Sequence, residues 1–188
     1  MEGLESKPGF RRIDLRTNKM LSQGASLHRE SYLVGKLNQE IAMNKAICSL
    51  NFMYSMERFA TAIYQIQKGS FNNKSVTEKL TYAVDNERQH ALKLSTRITE
   101  LNNTPSRLAF LFQIAGSLLG FVSRYFSKTF ALKADLAIEK RAVKDYSYFL
   151  KTLDLDDTTK MLIKSIIADE ELHIRNWQDS IKLLKSKT

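Results

Sequence analysis

The chain has 188 residues, 43% of them hydrophobic and 26% charged, which suits one globular domain and leaves too little for two. Seven glycines and two prolines are too few for a turn-rich all-β protein. The lone Cys48 excludes an internal disulfide or a Cys-x-x-Cys metal site, and the net charge of +9 favours anionic surfaces such as lipid headgroups.

Residues 1–30 read as a basic, partly irregular tail containing Gly3, Gly9 and Gly24, and residues 31–188 as the folded domain. The opening residues include Glu2 and Glu5 and lack the apolar core of a secretory signal. A cytoplasmic location is expected, peripheral on the inner face of a membrane. From Ser31 to Lys68 apolar residues recur at helical spacing, among them Leu33, Leu37, Ile41, Leu50, Tyr54, Phe59 and Ile63, and Gly69 ends the run. Ser75 followed by Glu78 reads as a capping box that opens a second helix running to about Leu101.

The segment around Pro105 breaks the chain, and Leu108–Leu132 is its most apolar stretch. Gln113, Ser117, Ser123, Arg124 and Lys128 interrupt it, which predicts a hydrophobic crossover helix or one lying on a membrane rather than a span. A third bundle helix is predicted over about 133–153, and a fourth from Asp156 or Asp157 to about Lys185. No basic run with interleaved aromatics occurs, so no nucleic-acid partner is expected.

The chemistry lies in a repeated pattern. Glu87-Arg88-Gln89-His90 and Glu170-Glu171-Leu172-His173 are both Glu-x-x-His, a spacing that puts both side chains on one helix face. Each is preceded by a further glutamate about 30 residues earlier, Glu57 and Glu139, which antiparallel hairpins would bring opposite the motifs. One glutamate from each of two helices and Glu-x-x-His from each of two others is the ligand set of the di-iron carboxylate bundles. Four carboxylates offset the repulsion of two adjacent Fe²⁺ ions, while one imidazole per iron leaves positions open for O₂ or peroxide. The competing reading is a bundle whose glutamates pair with its many lysines and arginines. Apolar flanks such as Phe52, Met53 and Phe59, or Leu136 and Ile138, argue against it, because a carboxylate on an apolar face needs a strong partner.

Glu171 lies about 100° round the helix from Glu170 and reads as peripheral or surface. Asp85 and Asp169 are candidates to hydrogen-bond the histidines, with a surface role equally open. Tyr64 and Tyr146 each follow a glutamate by seven residues. Tyr146 is a candidate proton or electron relay, whereas Tyr64 and Trp177 read as core.

At these residues the chain resembles the demethoxyubiquinone hydroxylases, a ferritin-like family of ubiquinone synthesis. The likeness runs from about Asn51 to Trp177 and takes in the six ligands, their spacing, Tyr146 and the Ala115–Gly120 segment. It implies O₂-dependent hydroxylation of a membrane-borne quinone at a di-iron centre. Departures are Met53–Phe59, where the family has small residues and glycines, and Asp145, where it has a histidine. The chain resembles rubrerythrin-like peroxidases less closely, since Ala142 stands where they carry a further glutamate.

The expected fold is therefore all-α: a ferritin-like four-helix bundle with a hydrophobic crossover helix and an N-terminal extension. Glu57, Glu87, His90, Glu139, Glu170 and His173 are the expected ligands of two iron ions, with manganese an alternative that suits the same donors. An external electron donor, O₂ or peroxide, a quinone and a second copy of the chain are the expected partners. Peroxide reduction, iron oxidation by a ferritin-like protein, and a non-catalytic helical interaction protein are the rival functions.

Overall fold

The structure is a computed structural model that describes residues 15–186, with side chains described for Arg29 and from Ser31 onward. The basic segment 1–14 lies outside the described residues. Five helices follow one another: α1 Leu15–Gln67, α2 Lys74–Glu100, α3 Ala109–Ser123, α4 Lys128–Thr152 and α5 Asp157–Lys185. A short 3-10 turn, Lys68–Ser70, follows α1, and no strand occurs among the described residues. The architecture is the expected bundle, built of α1, α2, α4 and α5, with α3 as the crossover.

The chain divides into two compact units, one up to Ile41 and one from Ala42 onward. In the first, helix begins at Leu15, well before the periodic run that starts at Ser31. No proline lies between Pro8 and Pro105 to stop it, and Gly24 and Gly35 each cost a helix only about 1 kcal/mol. Leu33, Leu37 and Ile41 are exposed, so their helical spacing marks a helix without marking a core.

The second unit contains the bundle core. On α2 the buried positions are Val76, Leu80, Ala83, Val84, Glu87, His90, Leu94 and Ile98. On α5 they run Thr159, Ile163, Ile166, Glu170, His173, Trp177, Ser180 and Ile181. Both stripes have the three-and-four spacing of a core-facing helix, and in both the Glu-x-x-His motif occupies the middle. Apolar clusters close the two sides: Ile63, Val76, Leu80, Leu132 and Trp177 on one, Leu50, Met53, Leu94, Ile98 and Ile166 on the other. A polar layer is thus sealed between two hydrophobic ones.

Caps set the helix starts. The N-cap of α2 is Asn73, whose side chain accepts from the Val76 N–H at 3.3 Å, not Ser75 as the capping-box pattern predicts. Ser75 and Glu78 are exposed, and Glu78 pairs with Lys74 at 3.9 Å instead. Asn73 is as good an acceptor and its use leaves Val76 free to enter the core. Asp156 caps α5, accepting from the Thr159 N–H at 3.0 Å and pairing with Arg97 at 2.8 Å.

The crossover helix α3 packs tightly on α1. A Cβ on Gly116 would collide with the Phe59 carbonyl oxygen, and one on Gly120 would stand 3.0 Å from that of Ile63. Arg58 of α1 also donates to Gln113 of α3. The outward side of α3 carries exposed Phe110, Leu111, Ile114, Leu118 and Phe121. No helix among the described residues is long and apolar enough to cross a membrane.

Candidate metal centre

The structure brings all six sequence-predicted residues into one layer, none of them more than 2% exposed. They form two overlapping groups able to hold a metal ion, each with donor atoms within 4.8 Å of one another. Glu57, Glu87, His90 and Glu170 make the first, and Glu87, Glu139, Glu170 and His173 the second. The Glu-x-x-His glutamates, Glu87 and Glu170, belong to both groups. Glu57 and Glu139 belong to one each.

The histidines turn the same nitrogen inward. His90 Nδ1 lies 3.2 Å from Glu170, 3.4 Å from Glu87 and 3.6 Å from Glu57. His173 Nδ1 lies 3.0 Å from Glu87, 3.1 Å from Glu170 and 3.4 Å from Glu139. Among the described residues no lysine or arginine forms an ion pair with these four glutamates, so the rival reading of interhelical ion pairs does not hold.

Two tyrosines clamp the outer glutamates in a crossed arrangement. Tyr146 of α4 donates its hydroxyl to Glu57 of α1 at 2.6 Å, and Tyr64 of α1 donates to Glu139 of α4 at 2.5 Å. Trp177 Nε1 adds a longer bond to the same Glu139 oxygen, 3.4 Å. Tyr64 and Trp177 are core residues, as their spacing implies, but each also touches the centre. Spacing along one helix shows which face a residue occupies, not which group stands across from it.

Of the two aspartates, only Asp169 reaches a histidine, His90 Nε2, at 3.0 Å. Asp85 is exposed and pairs with Arg88 at 3.4 Å, because it precedes its glutamate by two residues and so points away from the core. Glu171 is exposed. Asp135 and Gln67 were not legible as site residues, yet both are buried, and Gln67 donates to Asp135 at 3.0 Å. The available signal was Asp135 standing four residues before Glu139, on the same face of α4.

Crowded carboxylates in a dry layer resist ionisation. Burial, then the neighbouring Glu170 and Glu57, pushes Glu87 well above the usual carboxylate range. Burial, with Glu139 and Glu57, raises Glu170 to about 7. Burial acts on Glu57 in the same sense, but its close polar contacts with Glu87 and His90 outweigh that and hold it low. Both histidines are raised, since the surrounding glutamates overcome the burial that opposes their charge. Burial and the nearby carboxylates also raise Tyr64 and Tyr146, so both phenols stay protonated as donors.

Metal ions fit this layer. Both oxygens of Glu87, Glu170 Oε1 and His90 Nδ1 are buried with no hydrogen-bond partner. Unpartnered buried lone pairs are costly, and divalent cations would both satisfy them and offset the carboxylate charge. Carboxylate and imidazole donors suit iron.

Two cavities lie along α1. One, of about 340 Å³, is lined by Tyr54, Arg58 and Thr61 of α1, Arg88 and Ser95 of α2, and Gln113 of α3. The other, of about 390 Å³, is apolar and lined by Met56, Phe59, Leu111, Phe112 and Ala115.

The family described as Ubiquinone biosynthesis protein COQ7 matches the chain over residues 54–182, a span containing all six residues. No curated protein matches it significantly. Among solved structures, the dodecameric thioferritin of Bacteroides fragilis, a bacterioferritin-related protein, superposes with a TM-score of 0.63 at 23% identity. The match covers 77% of this chain and 89% of that one. The bacterioferritin BfrA of Mycobacterium tuberculosis gives a TM-score of 0.56 at 22% identity, over 76% of this chain and 87% of its own. At these identities the likeness establishes the ferritin-like fold and nothing finer.

Proposed function

Because the chain belongs to the Ubiquinone biosynthesis protein COQ7 family, we propose that it is a di-iron oxidoreductase that hydroxylates the ring of a membrane-borne quinone with O₂. The observation that carries this reading is the pair of overlapping donor groups, joined through Glu87 and Glu170. Glu57, Glu87, His90 and Glu170 would hold one iron, and Glu87, Glu139, Glu170 and His173 the other. When bound, the pair supplies two-electron reduction of O₂. One oxygen atom enters a ring C–H bond as a hydroxyl, and the other leaves as water, using two electrons and two protons from an external donor. No nicotinamide or flavin motif supplies those electrons from within the chain.

The protein's own groups fix the ligands and exclude water. Tyr146 and Tyr64 hold the outer carboxylates by one oxygen each, which orients the other. Asp169 fixes the ring of His90 by its outer nitrogen. The apolar clusters on both sides keep bulk water from the layer. Tyr146, which donates its hydroxyl to Glu57, would relay a proton to that carboxylate. The exposed apolar face of α3 and the groove between α3 and α1 supply apolar surface for a lipid bilayer and an isoprenoid tail.

Anaerobically reduced, iron-loaded protein mixed with O₂ in a stopped-flow instrument should be oxidised much faster than with H₂O₂. With ¹⁸O₂ and a quinone carrying an unsubstituted ring carbon, one labelled oxygen should appear on the ring. Faster discharge by H₂O₂, with no label in the quinone, would replace hydroxylation with peroxide reduction.

A further inference from the structure

The centre has an approximate two-fold pattern: α1 pairs with α4 and α2 with α5, each half contributing a glutamate, a crossed tyrosine and a Glu-x-x-His. It breaks at one point. His90 of α2 has its outer nitrogen, Nε2, against Asp169 of α5 at 3.0 Å. Asp169 is the residue immediately before Glu170. Its counterpart is the residue immediately before Glu87, and that residue is Asn86. The outer nitrogen of His173 is buried with no hydrogen-bond partner, and so is the side-chain oxygen of Asn86. Among the ring contacts of His173 are Tyr82, edge-on at 5.9 Å, and Trp177, at 6.4 Å between centroids.

The outer glutamates differ in the same sense. Glu57 receives one hydrogen bond from a neighbouring aromatic side chain, from Tyr146, whereas Glu139 receives two on one oxygen, from Tyr64 and Trp177. A carboxylate behind an imidazole raises its basicity as a ligand and fixes its ring, while added donors on a carboxylate draw charge from it. Both differences favour the Glu57–His90 side.

We infer that the two metal positions are unequal: the one at Glu57 and His90 binds first and more tightly, and Asn86 in place of an acidic residue makes the one at Glu139 and His173 the weaker. This rests on the two-metal reading above. Its consequence is an order of loading, with a chain at limiting metal holding one ion at the Asp169 side.

Repulsion between two cations separates the binding steps even in a symmetric centre, so two steps in the unaltered protein decide nothing alone. The assignment is read from two isosteric variants, neither of them a ligand, by anaerobic calorimetric titration of the metal-free full chain with Fe²⁺ and with Co²⁺. Asp169→Asn should weaken the first step about 10-fold or more and leave the second unchanged. Asn86→Asp should tighten the second step by a similar factor and leave the first unchanged. If Asp169→Asn instead weakens the second step, or Asn86→Asp moves neither, the assigned order fails and the inference is overturned. Far-UV circular dichroism and thermal melting of the metal-free variants identify any that misfold. Should Asp169→Asn prove unfolded, the Asn86→Asp titration decides by itself. Failure to bind two ions per chain would instead overturn the two-metal reading itself, a distinct result.

Discussion

The interior of the bundle and the outer face of α3 break the same rule in opposite directions. Inside, four carboxylates and two imidazoles are packed where aliphatic side chains belong, several with no hydrogen-bond partner. Outside, Phe110, Leu118 and Phe121 lie exposed on α3 among the described residues. Buried unpartnered polar groups and exposed apolar area both cost folding free energy, and under the proposed function each would be answered by a ligand. The centre suits metal cations. The face of α3 suits an extended apolar phase. The two are held together by Gly116 and Gly120, which let α3 lie against α1 next to Glu57.

The comparison breaks most decisively at the shared glutamates. Glu87→Gln should abolish stoichiometric two-metal binding, because Glu87 belongs to both groups, whereas Glu57→Gln should weaken only one position. Metal analysis after equilibrium dialysis distinguishes them. Equal effects of the two substitutions would mean that Glu87 is not shared.

The outer face should respond without disturbing the inner one. Phe110→Glu with Leu118→Glu removes two exposed apolar side chains, each worth about 1.5–3 kcal/mol when buried in an apolar phase. Cosedimentation with anionic lipid vesicles should fall at least tenfold, while metal content stays at the unaltered value. Unchanged sedimentation would remove α3 from any membrane role.

The link between the two regions is tested by Gly116→Ala, whose methyl group has no room against the Phe59 carbonyl. Overpacking of this kind costs about 1–3 kcal/mol, read from urea unfolding. No loss would show that α3 rests loosely on α1.

The smallest effect concerns pH. Glu170, raised to about 7, holds its proton in the folded metal-free chain when the unfolded chain, with an ordinary carboxyl near 4.5, has released it. The two histidines, also raised, act in the same direction. A folded state that binds more protons loses stability as pH rises, so these groups stabilise the metal-free chain at pH 5 more than at pH 8. Metal displaces those protons and reverses the trend. The gain in Tm on adding metal should therefore grow from pH 5.5 to pH 7.5. A gain that is flat or shrinks would mean that the protons lie elsewhere.

The convergence of the six candidate residues was legible in the sequence because four of them sit in the middle of two periodic stripes and the set repeats as a pattern. A Glu-x-x-His flanked by Leu80 and Leu94, or by Ile166 and Trp177, has only one face to occupy. Contacts across helices were not legible. The crossed bonds of Tyr64 and Tyr146 depend on how α1 and α4 are aligned against each other, which spacing within one helix does not report. Asp169 and Asp85 looked alike until a difference of one residue, about 100° of rotation, turned one to His90 and the other to solvent. Leu33 and Leu37 illustrate the converse, since helical spacing there accompanies exposure rather than a core.

Anomalous X-ray scattering at the iron edge, from crystals of the full chain loaded with Fe²⁺ under nitrogen, tests the central claim most directly. Two peaks are predicted, one among Glu57, Glu87, His90 and Glu170 and the other among Glu87, Glu139, Glu170 and His173. A single peak at full loading, or iron bound anywhere outside this layer, would contradict the account.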